Sequence, residues 1–165
     1  MTVVMSHTDA DARTLTFVTE FDASAEQVWQ VWADARQLER WWGPPTWPAT
    51  FVRHDFVPGG RSHYFMTGPN GDRIHGWWAT GVIHRPDRVE FEDGFADEHG
   101  EPNGDLGSTQ VVVTLQTVNG RTRMTLVSTF TSTEQLDQML AMGMEEGMRE
   151  ALGQIDLIVA DDYII

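Results

Sequence analysis

Apolar and polar residues alternate over residues 13–21, RTLTFVTEF, and this period of two predicts a half-buried β-strand. Similar runs recur from residue 49 to residue 130 between turn-forming sequences, which predicts about six further strands in an antiparallel meander. Asn119-Gly120 is the strongest two-residue hairpin signal among these turns. No strand is predicted for residues 1–12, which are expected to form a flexible N-terminus.

The spacing of apolar residues changes to that of a helix between the first two predicted strands. Val31 and Trp32 share one helical face, and Ser24 with Gln27 forms a weak capping box at the N-terminus. A second short helix, ARQLERWW, is expected to end at the Gly-Pro-Pro sequence that follows it, because proline cannot continue a helix.

The last predicted element is one long helix from Ser132 to about residue 160, capped by Ser132 or Thr133, with a continuous apolar face. Gly143 and Gly147 inside it each cost roughly 1 kcal/mol relative to alanine, which indicates either close packing or deliberate space. Together the elements predict an α+β fold with one antiparallel sheet. Because a long sheet curls, a helix along its concave face leaves the ends unfilled, and a cavity is expected.

The amino-acid composition and net charge exclude several classes of function. The chain has 165 residues and no cysteine, so we expect one domain over residues 1–165 without disulfides or cysteine-bound zinc. The net charge of −14 makes the protein acidic and opposes binding to nucleic acid or anionic lipid. All basic residues are arginine, which excludes Schiff-base chemistry. No signal peptide or membrane-spanning run is recognisable, so a cytoplasmic location is expected.

Motifs for catalysis or cofactor binding do not occur, so no catalytic residue is assigned and no cofactor is expected. His54, His63 and His75 lie on neighbouring predicted strands, but alternation places His63 on the face opposite Tyr64. We therefore expect no metal site, and histidines at the surface or the cavity rim. Among the carboxylates, Asp93 is the best candidate for an inward position, since it shares the alternation of the apolar residues in its strand.

Four segments carry a family resemblance: ASAEQVWQVWADARQLERWWGP, HDFVPGGRSHYFM, GWWATGVIHRPDRVEF and MEEGMREALGQIDLIVA. In this order they resemble the activator of Hsp90 ATPase homologue family, within the START-like, SRPBCC helix-grip superfamily, over about residues 15–160. The resemblance implies a curved antiparallel sheet wrapped around a long C-terminal helix, with two short helices after the first strand and a central apolar cavity. It implies no single activity, because such folds host many functions.

Two positions depart from the pattern that this family usually has. Met148 follows Gly147 where the family has tryptophan, which leaves an adaptable cavity wall with more room. Thr80 stands two residues after Trp78, where the family often has an inward acid. We therefore expect the cavity to have no obvious carboxylate.

The favoured hypothesis is a protein that binds a small, largely apolar molecule between the sheet and the long helix. Trp42, rather than Trp41, is expected to face inward, and Tyr64 is expected to supply a polar contact. Residues 94–107 are predicted to form a flexible lid with Phe95 as its hydrophobic anchor. The predicted ligand-binding residues are Trp32, Trp42, Tyr64, Met66, Trp78, Phe91, Phe95, Leu140, Met144 and Met148.

Two other functions stay open. One is an enzyme resembling polyketide cyclases, that is, a cyclase- or aromatase-like lyase without metal, in which the cavity orients a reactive chain. The other is a regulator of an Hsp90-type chaperone ATPase that acts through an acidic convex face. The sequence does not specify an oligomeric state and leaves a homodimer open.

Overall fold

The computed structural model describes residues 3–104 and 107–162 of the chain. The strands are β1 (Val3–Asp9), β2 (Thr14–Phe21), β3 (Ala49–His54), β4 (Arg61–Thr67), β5 (Arg73–His84), β6 (Arg88–Ala96), β7 (Ser108–Val118) and β8 (Arg121–Thr129). The helices are α1 (Ala25–Ala33), α2 (Ala35–Leu38), α3 (Thr133–Ala141), α4 (Met144–Leu152) and α5 (Ile155–Asp162). The strands form one antiparallel sheet in the order β1-β2-β8-β7-β6-β5-β4-β3, which confirms the predicted α+β, helix-grip class.

Strand β1 lies in the segment that was expected to be flexible, and this expectation is wrong for Val3–Asp9. The strand pairs antiparallel with β2 and extends the sheet by one edge. The side chains of residues 5–9 are exposed or half-buried, with Met5 51% exposed. Because they bury little apolar surface, they leave no alternating signal in the sequence, and main-chain pairing defines the strand.

Helix α1 begins at the predicted capping box. The Gln27 N–H donates to the Ser24 hydroxyl at 3.2 Å, and the Ser24 N–H donates to the Gln27 side chain at 2.9 Å. Helix α2 is shorter than predicted and ends at Leu38, after which the N–H groups of Trp41 and Trp42 turn back to the Leu38 carbonyl. Both tryptophans are buried.

Two further local predictions are confirmed. The Ser132 side chain caps α3 by accepting a hydrogen bond from the Gln135 N–H at 3.0 Å. Asn119 and Gly120 connect β7 to β8 with φ angles of +53° and +78°, as a two-residue hairpin turn requires.

The C-terminal region forms three consecutive helices instead of one long helix. Gly143 separates α3 from α4 with φ +87°, a left-handed conformation that glycine adopts at little cost. The second break falls at Gly153 and Gln154. The Gln154 side chain donates to the carbonyls of Trp41 and Gly43 at 3.3 and 2.8 Å, which ties this break to the segment after α2. The apolar face continues across both breaks, so periodicity alone does not reveal them.

The core lies between the inner face of the sheet and the helices, and aromatic rings fill its centre. The ring of Trp78 stacks on Phe91 at 4.0 Å between centroids, and Trp32 lies about 6 Å from both. All three are almost completely buried. Within residues 3–104 and 107–162, none of the helices combines the length and apolar composition needed to span a bilayer.

Candidate ligand-binding site

A cavity of about 280 Å³ lies between β4–β7 and the two helices α3 and α4. Its volume is near the lower end of the roughly 300–1,000 Å³ that small-molecule sites occupy. One wall is formed by side chains of the sheet, the opposite wall by helix residues, and residues 42–44 contribute at one side. The cavity therefore lies between the sheet and the C-terminal helices, as the favoured hypothesis expects.

Methionines and glycines build the helical wall. Met144, Gly147, Met148 and Ala151 line the cavity from one face of α4, and Met139 and Met142 add to this wall from the preceding turns. Apart from its chain neighbours and the adjacent helix backbone, a Cβ atom added at Gly147 would have no heavy atom within 4 Å, so this glycine leaves open space. Its helical cost is therefore associated with cavity volume and not with close packing.

The two neighbouring tryptophans after α2 have different surroundings. Trp42 faces the cavity, whereas Trp41 packs against Trp32 with ring centroids 4.7 Å apart. The Trp41 indole N–H donates to the Val31 carbonyl at 2.8 Å, which fixes it in the core. Trp42 thus forms the boundary between the aromatic core and the cavity.

Tyr64 and Asp93 form a polar pair in this mainly apolar cavity. The Tyr64 hydroxyl donates a hydrogen bond to Asp93 Oδ1 at 3.0 Å, although β5 separates the two strands that carry them. Gly76 on β5 lies opposite Tyr64, and a Cβ atom added there would lie 2.2 Å from the Tyr64 ring. The missing side chain at Gly76 therefore lets the tyrosine cross β5 and reach Asp93.

Burial changes the acid–base properties of both groups. Removal from water raises the pKa of Asp93 from 3.8 to about 7, although hydrogen bonding from Tyr64 acts in the opposite direction. Burial, together with the Asp93 charge, raises the pKa of Tyr64 well above 10, so its hydroxyl remains a donor. The Trp78 N–H also lies near Asp93 and lowers its pKa, but its geometry falls short of a regular hydrogen bond.

Asp93 corrects the expectation that the cavity has no obvious carboxylate. Thr80, at the position where the family often has an acid, is buried and does not line the cavity. The carboxyl group comes instead from the neighbouring strand β6, on which alternation had made Asp93 the best inward candidate. Its surroundings also differ from those of a surface acid: no arginine lines the cavity, and none of the described residues forms a salt bridge with Asp93.

The predicted ligand-binding residues fall into two groups. The first group lines the cavity and consists of Trp42, Tyr64, Met66, Phe95, Met144 and Met148. The second group does not line it: Trp32, Trp78 and Phe91 lie in the core, and Leu140 packs against the core. The Trp42 ring lies 5.0 Å from Trp78 and 6.4 Å from Phe91, and so stands between the cavity and this aromatic layer. Alternation identifies inward side chains but not which of them another ring covers.

Other lining residues carry no chemical signature in the sequence. Gly43, Gly94 and Gly107 present main chain to the cavity and have no side chain that could show a period. Ile74 lines the rim and is 45% exposed, and Thr109 lies opposite Asp93 in the pairing of β6 with β7. Only tertiary contacts bring these residues together.

The three histidines on β3, β4 and β5 have structural partners. His63 Nε2 lies 2.9 Å from His75 Nδ1, and their rings stack. His54 bonds the Ser62 hydroxyl and the Trp32 carbonyl, both at 2.8 Å, and burial lowers its pKa. The expectation of a surface or rim position is therefore wrong for His54. Across the described ranges, no group of three or more His, Asp or Glu residues could hold a metal ion.

The loop after β6 differs from the predicted lid. Residues 94–96 belong to β6, and the first two of them line the cavity. The loop tip contacts His63, because a Cβ atom at Gly100 would lie 2.7 Å from that ring. His63 is on the face opposite Tyr64, so the tip lies against the outer side of the sheet. Residues 105–106 of the predicted lid lie outside the described residues. Fast hydrogen exchange of the loop, slowed by ligand, stays a prediction.

Comparison with known proteins agrees with this architecture. The family model for activator of Hsp90 ATPase homolog 1-like proteins matches residues 22–160. A solution NMR structure from Arthrobacter aurescens is 54% identical, with 96% of this chain and 92% of that chain covered and a TM-score of 0.92. A crystal structure from Mycobacterium smegmatis is 47% identical, with 94% and 96% covered and a TM-score of 0.88.

More distant similarity concerns the fold alone. DynU16, a protein from the dynemicin biosynthetic locus, is 17% identical, with 87% of this chain and 47% of that chain covered and a TM-score of 0.60. No curated protein sequence matches the chain. Because the family model spans most of the sequence and close structural neighbours share its sheet and helices, the chain belongs to the activator of Hsp90 ATPase homolog 1-like family.

Proposed function

We propose that this protein binds a small, largely apolar molecule in the cavity between β4–β7 and helices α3 and α4. The cavity itself carries this proposal, since about 280 Å³ of space is lined mainly by methionines, aromatic rings and glycines and also contains the hydrogen-bonded pair Tyr64 and Asp93. Small-molecule sites commonly have this composition, in which apolar area supplies affinity and a few polar groups fix orientation.

The rim supports entry of an apolar molecule. Met142 and Ile74 both line the cavity and are 58% and 45% exposed, so apolar side chains are present where the cavity meets solvent. Methionine is flexible and polarisable, which lets the helical wall adapt to ligands of different shape. A rim of this kind favours the binding hypothesis over a purely structural void.

Filling the cavity tests the proposal. Gly147→Leu places a side chain in the open space next to Gly147 and replaces a poor helix former with a good one, so the fold is expected to be retained. We expect binding of the neutral, solvent-sensitive dye Prodan to weaken at least tenfold. Glu150→Leu, on the exposed face of the same helix, is the matched control and is expected to leave dye binding unchanged.

The result that contradicts the proposal is equal dye affinity in wild type and Gly147→Leu, or no dye binding to any of the three proteins. Native mass spectrometry of the protein purified from its own source gives an independent measurement. A retained ligand adds its mass to the wild-type protein, and this additional mass is expected to be absent from Gly147→Leu.

A polyketide cyclase-like reaction is the second candidate, and Asp93 favours it. Cyclisation of such chains begins with removal of a proton from the carbon next to a carbonyl, and a half-buried carboxyl with a pKa of about 7 is suited to accept it near neutral pH. NMR in D₂O can follow the exchange of these protons in a simple ketone, 2-tetralone. This reaction would be supported if the wild type accelerates the exchange and Asp93→Asn does not. Equal exchange rates with the wild type and Asp93→Asn would exclude Asp93 as the base.

A further inference from the structure

Asp93 is a cavity carboxyl group without a positively charged partner in the part of the chain that the structure describes. It interacts with the Tyr64 hydroxyl, the nearby Trp78 N–H and the N–H of Gly94, none of which carries a charge. A carboxylate removed from water without a counter-ion is costly, and proteins normally pair such groups. A ligand that brings a positive charge would remove this cost.

We propose that the ligand is a small apolar amine whose ammonium group binds Asp93 while its hydrocarbon part occupies the methionine-lined side of the cavity. This inference rests on the proposed binding function and specifies its ligand class. The Tyr64 hydroxyl orients the carboxylate by donating to Oδ1 at 3.0 Å, and Asp93 lines the cavity in which the ammonium group would lie.

The surroundings of Asp93 favour a cation over an anion. The rings of Trp42, Tyr64 and Phe95 line the same cavity, and aromatic faces attract ammonium groups. No arginine lines the cavity, and Asp93 is the one acidic residue among the described lining residues, so it would repel an anionic ligand. The net charge of −14 adds a long-range attraction for cations.

Other titratable groups around Asp93 cannot replace it in this role. Tyr64 from β4 stays protonated, and the His75 ring on β5 is bound to His63. From β7 the opposite residue is the uncharged Thr109, and the α3–α4 wall contributes no charged residue to the lining. Glu92, next to Asp93 on β6, points to the other face and accepts a hydrogen bond from Ser108.

Ionisation of Asp93 determines how amine binding depends on pH. Because burial raises the pKa of Asp93 to about 7, part of the free protein carries a protonated Asp93 at neutral pH. An ammonium group binds the ionised form of Asp93 in preference to the protonated form. Affinity for the amine is therefore expected to rise up to about tenfold per pH unit below pH 7 and to be constant above it. A neutral carbonyl ligand that accepts from protonated Asp93 would show the opposite trend.

Calorimetry with three matched naphthalene compounds tests the proposal: 1-naphthylmethylamine, 1-naphthylmethanol and 1-naphthoate. At pH 8 the wild type is expected to bind the amine at least tenfold more tightly than the alcohol, and the carboxylate most weakly. In Asp93→Asn the ratio of amine to alcohol affinity is expected to fall close to one while alcohol binding persists. Asp137→Asn changes the net charge equally at an exposed position of α3 and is expected to keep the wild-type ratio.

The outcomes separate the two proposals. If none of the compounds binds, and Prodan does not bind either, the proposed function fails. If the alcohol binds as tightly as the amine, or Asp93→Asn keeps the amine preference, the amine inference alone is overturned. Amine affinity that decreases between pH 6 and pH 8 would also overturn it.

Discussion

The replacement Asp93→Asn is expected to stabilise the protein at neutral and alkaline pH. Asparagine keeps the shape of the side chain and an oxygen that can accept the Tyr64 hydrogen bond, but it carries no charge. Because ionised Asp93 lacks a cationic partner among the described residues, removal of its charge removes the cost of burying it.

The pKa of Asp93 gives the magnitude of this stabilisation and its dependence on pH. The difference between its ordinary value of 3.8 and about 7, at about 1.4 kcal/mol per pKa unit, corresponds to about 4 kcal/mol. Between these two values the folded state binds more protons than the unfolded state, so the wild type loses stability as pH rises from about 4 to 7. Since the buried amide recovers only part of this energy, we expect a gain of about 2–4 kcal/mol at pH 8 and almost none at pH 4.

Urea unfolding followed by tryptophan fluorescence at pH 4.5, 6, 7 and 8 measures this difference. With an m-value of about 2 kcal/mol/M, the midpoint of Asp93→Asn should lie about 1–2 M above that of the wild type at pH 8. The exposed Asp137→Asn variant is expected to show no comparable shift. A midpoint difference that is the same at pH 4.5 and pH 8 would refute the reasoning, because it would mean that Asp93 ionises as freely in the folded state as in the unfolded chain.

Three further predictions concern the same architecture. Gly143→Ala should lower the free energy of unfolding by about 1 kcal/mol, because alanine is strained at the φ of +87° that this position has. Gly147→Ala should raise it by up to about 1 kcal/mol, because alanine has the higher helix propensity. Equal effects of the two substitutions in urea unfolding would contradict this. Gly76→Ala should displace the Tyr64 ring and enlarge the pH-dependent stability difference between proteins with Asp and Asn at position 93, because the hydrogen bond from Tyr64 opposes the rise in the Asp93 pKa. An unchanged difference would show that the ring does not need this gap. His54→Phe should destabilise the protein by about 1–3 kcal/mol, because the buried Ser62 hydroxyl and Trp32 carbonyl lose their hydrogen bonds to the histidine. A urea midpoint equal to that of the wild type would disprove this.

Local patterns in the sequence were sufficient for most of the fold. Alternation located the strands from β2 onward, and the caps at Ser24 and Ser132 and the turn at Asn119-Gly120 depend only on neighbouring residues. Such interactions form within a few residues, so their sequence signals can be read directly. Strand β1 escaped prediction since it buries few apolar side chains, and the helix breaks escaped because the apolar face is continuous across them.

The candidate site was predictable only in part. Alternation and the Trp-Trp-Gly-Pro segment indicated Trp42, Tyr64 and the methionines of α4, because these residues belong to patterns with a known direction. These patterns could not show that Trp42 lines the cavity while Trp78 and Phe91 lie behind it. The Trp42 ring that separates them from the cavity comes from a distant segment of the chain.

The sequence by itself determined the sheet-and-helix class, the family and the apolar character of the interior, because these follow from periodicity and from motifs along the chain. Tertiary structure alone decided that Tyr64 meets Asp93 across β5. That contact requires β4, β5 and β6 to pair in register so that Gly76 leaves a gap at the right position. The raised pKa of Asp93 likewise follows from burial, which is a property of the assembled fold and not of neighbouring residues in the chain.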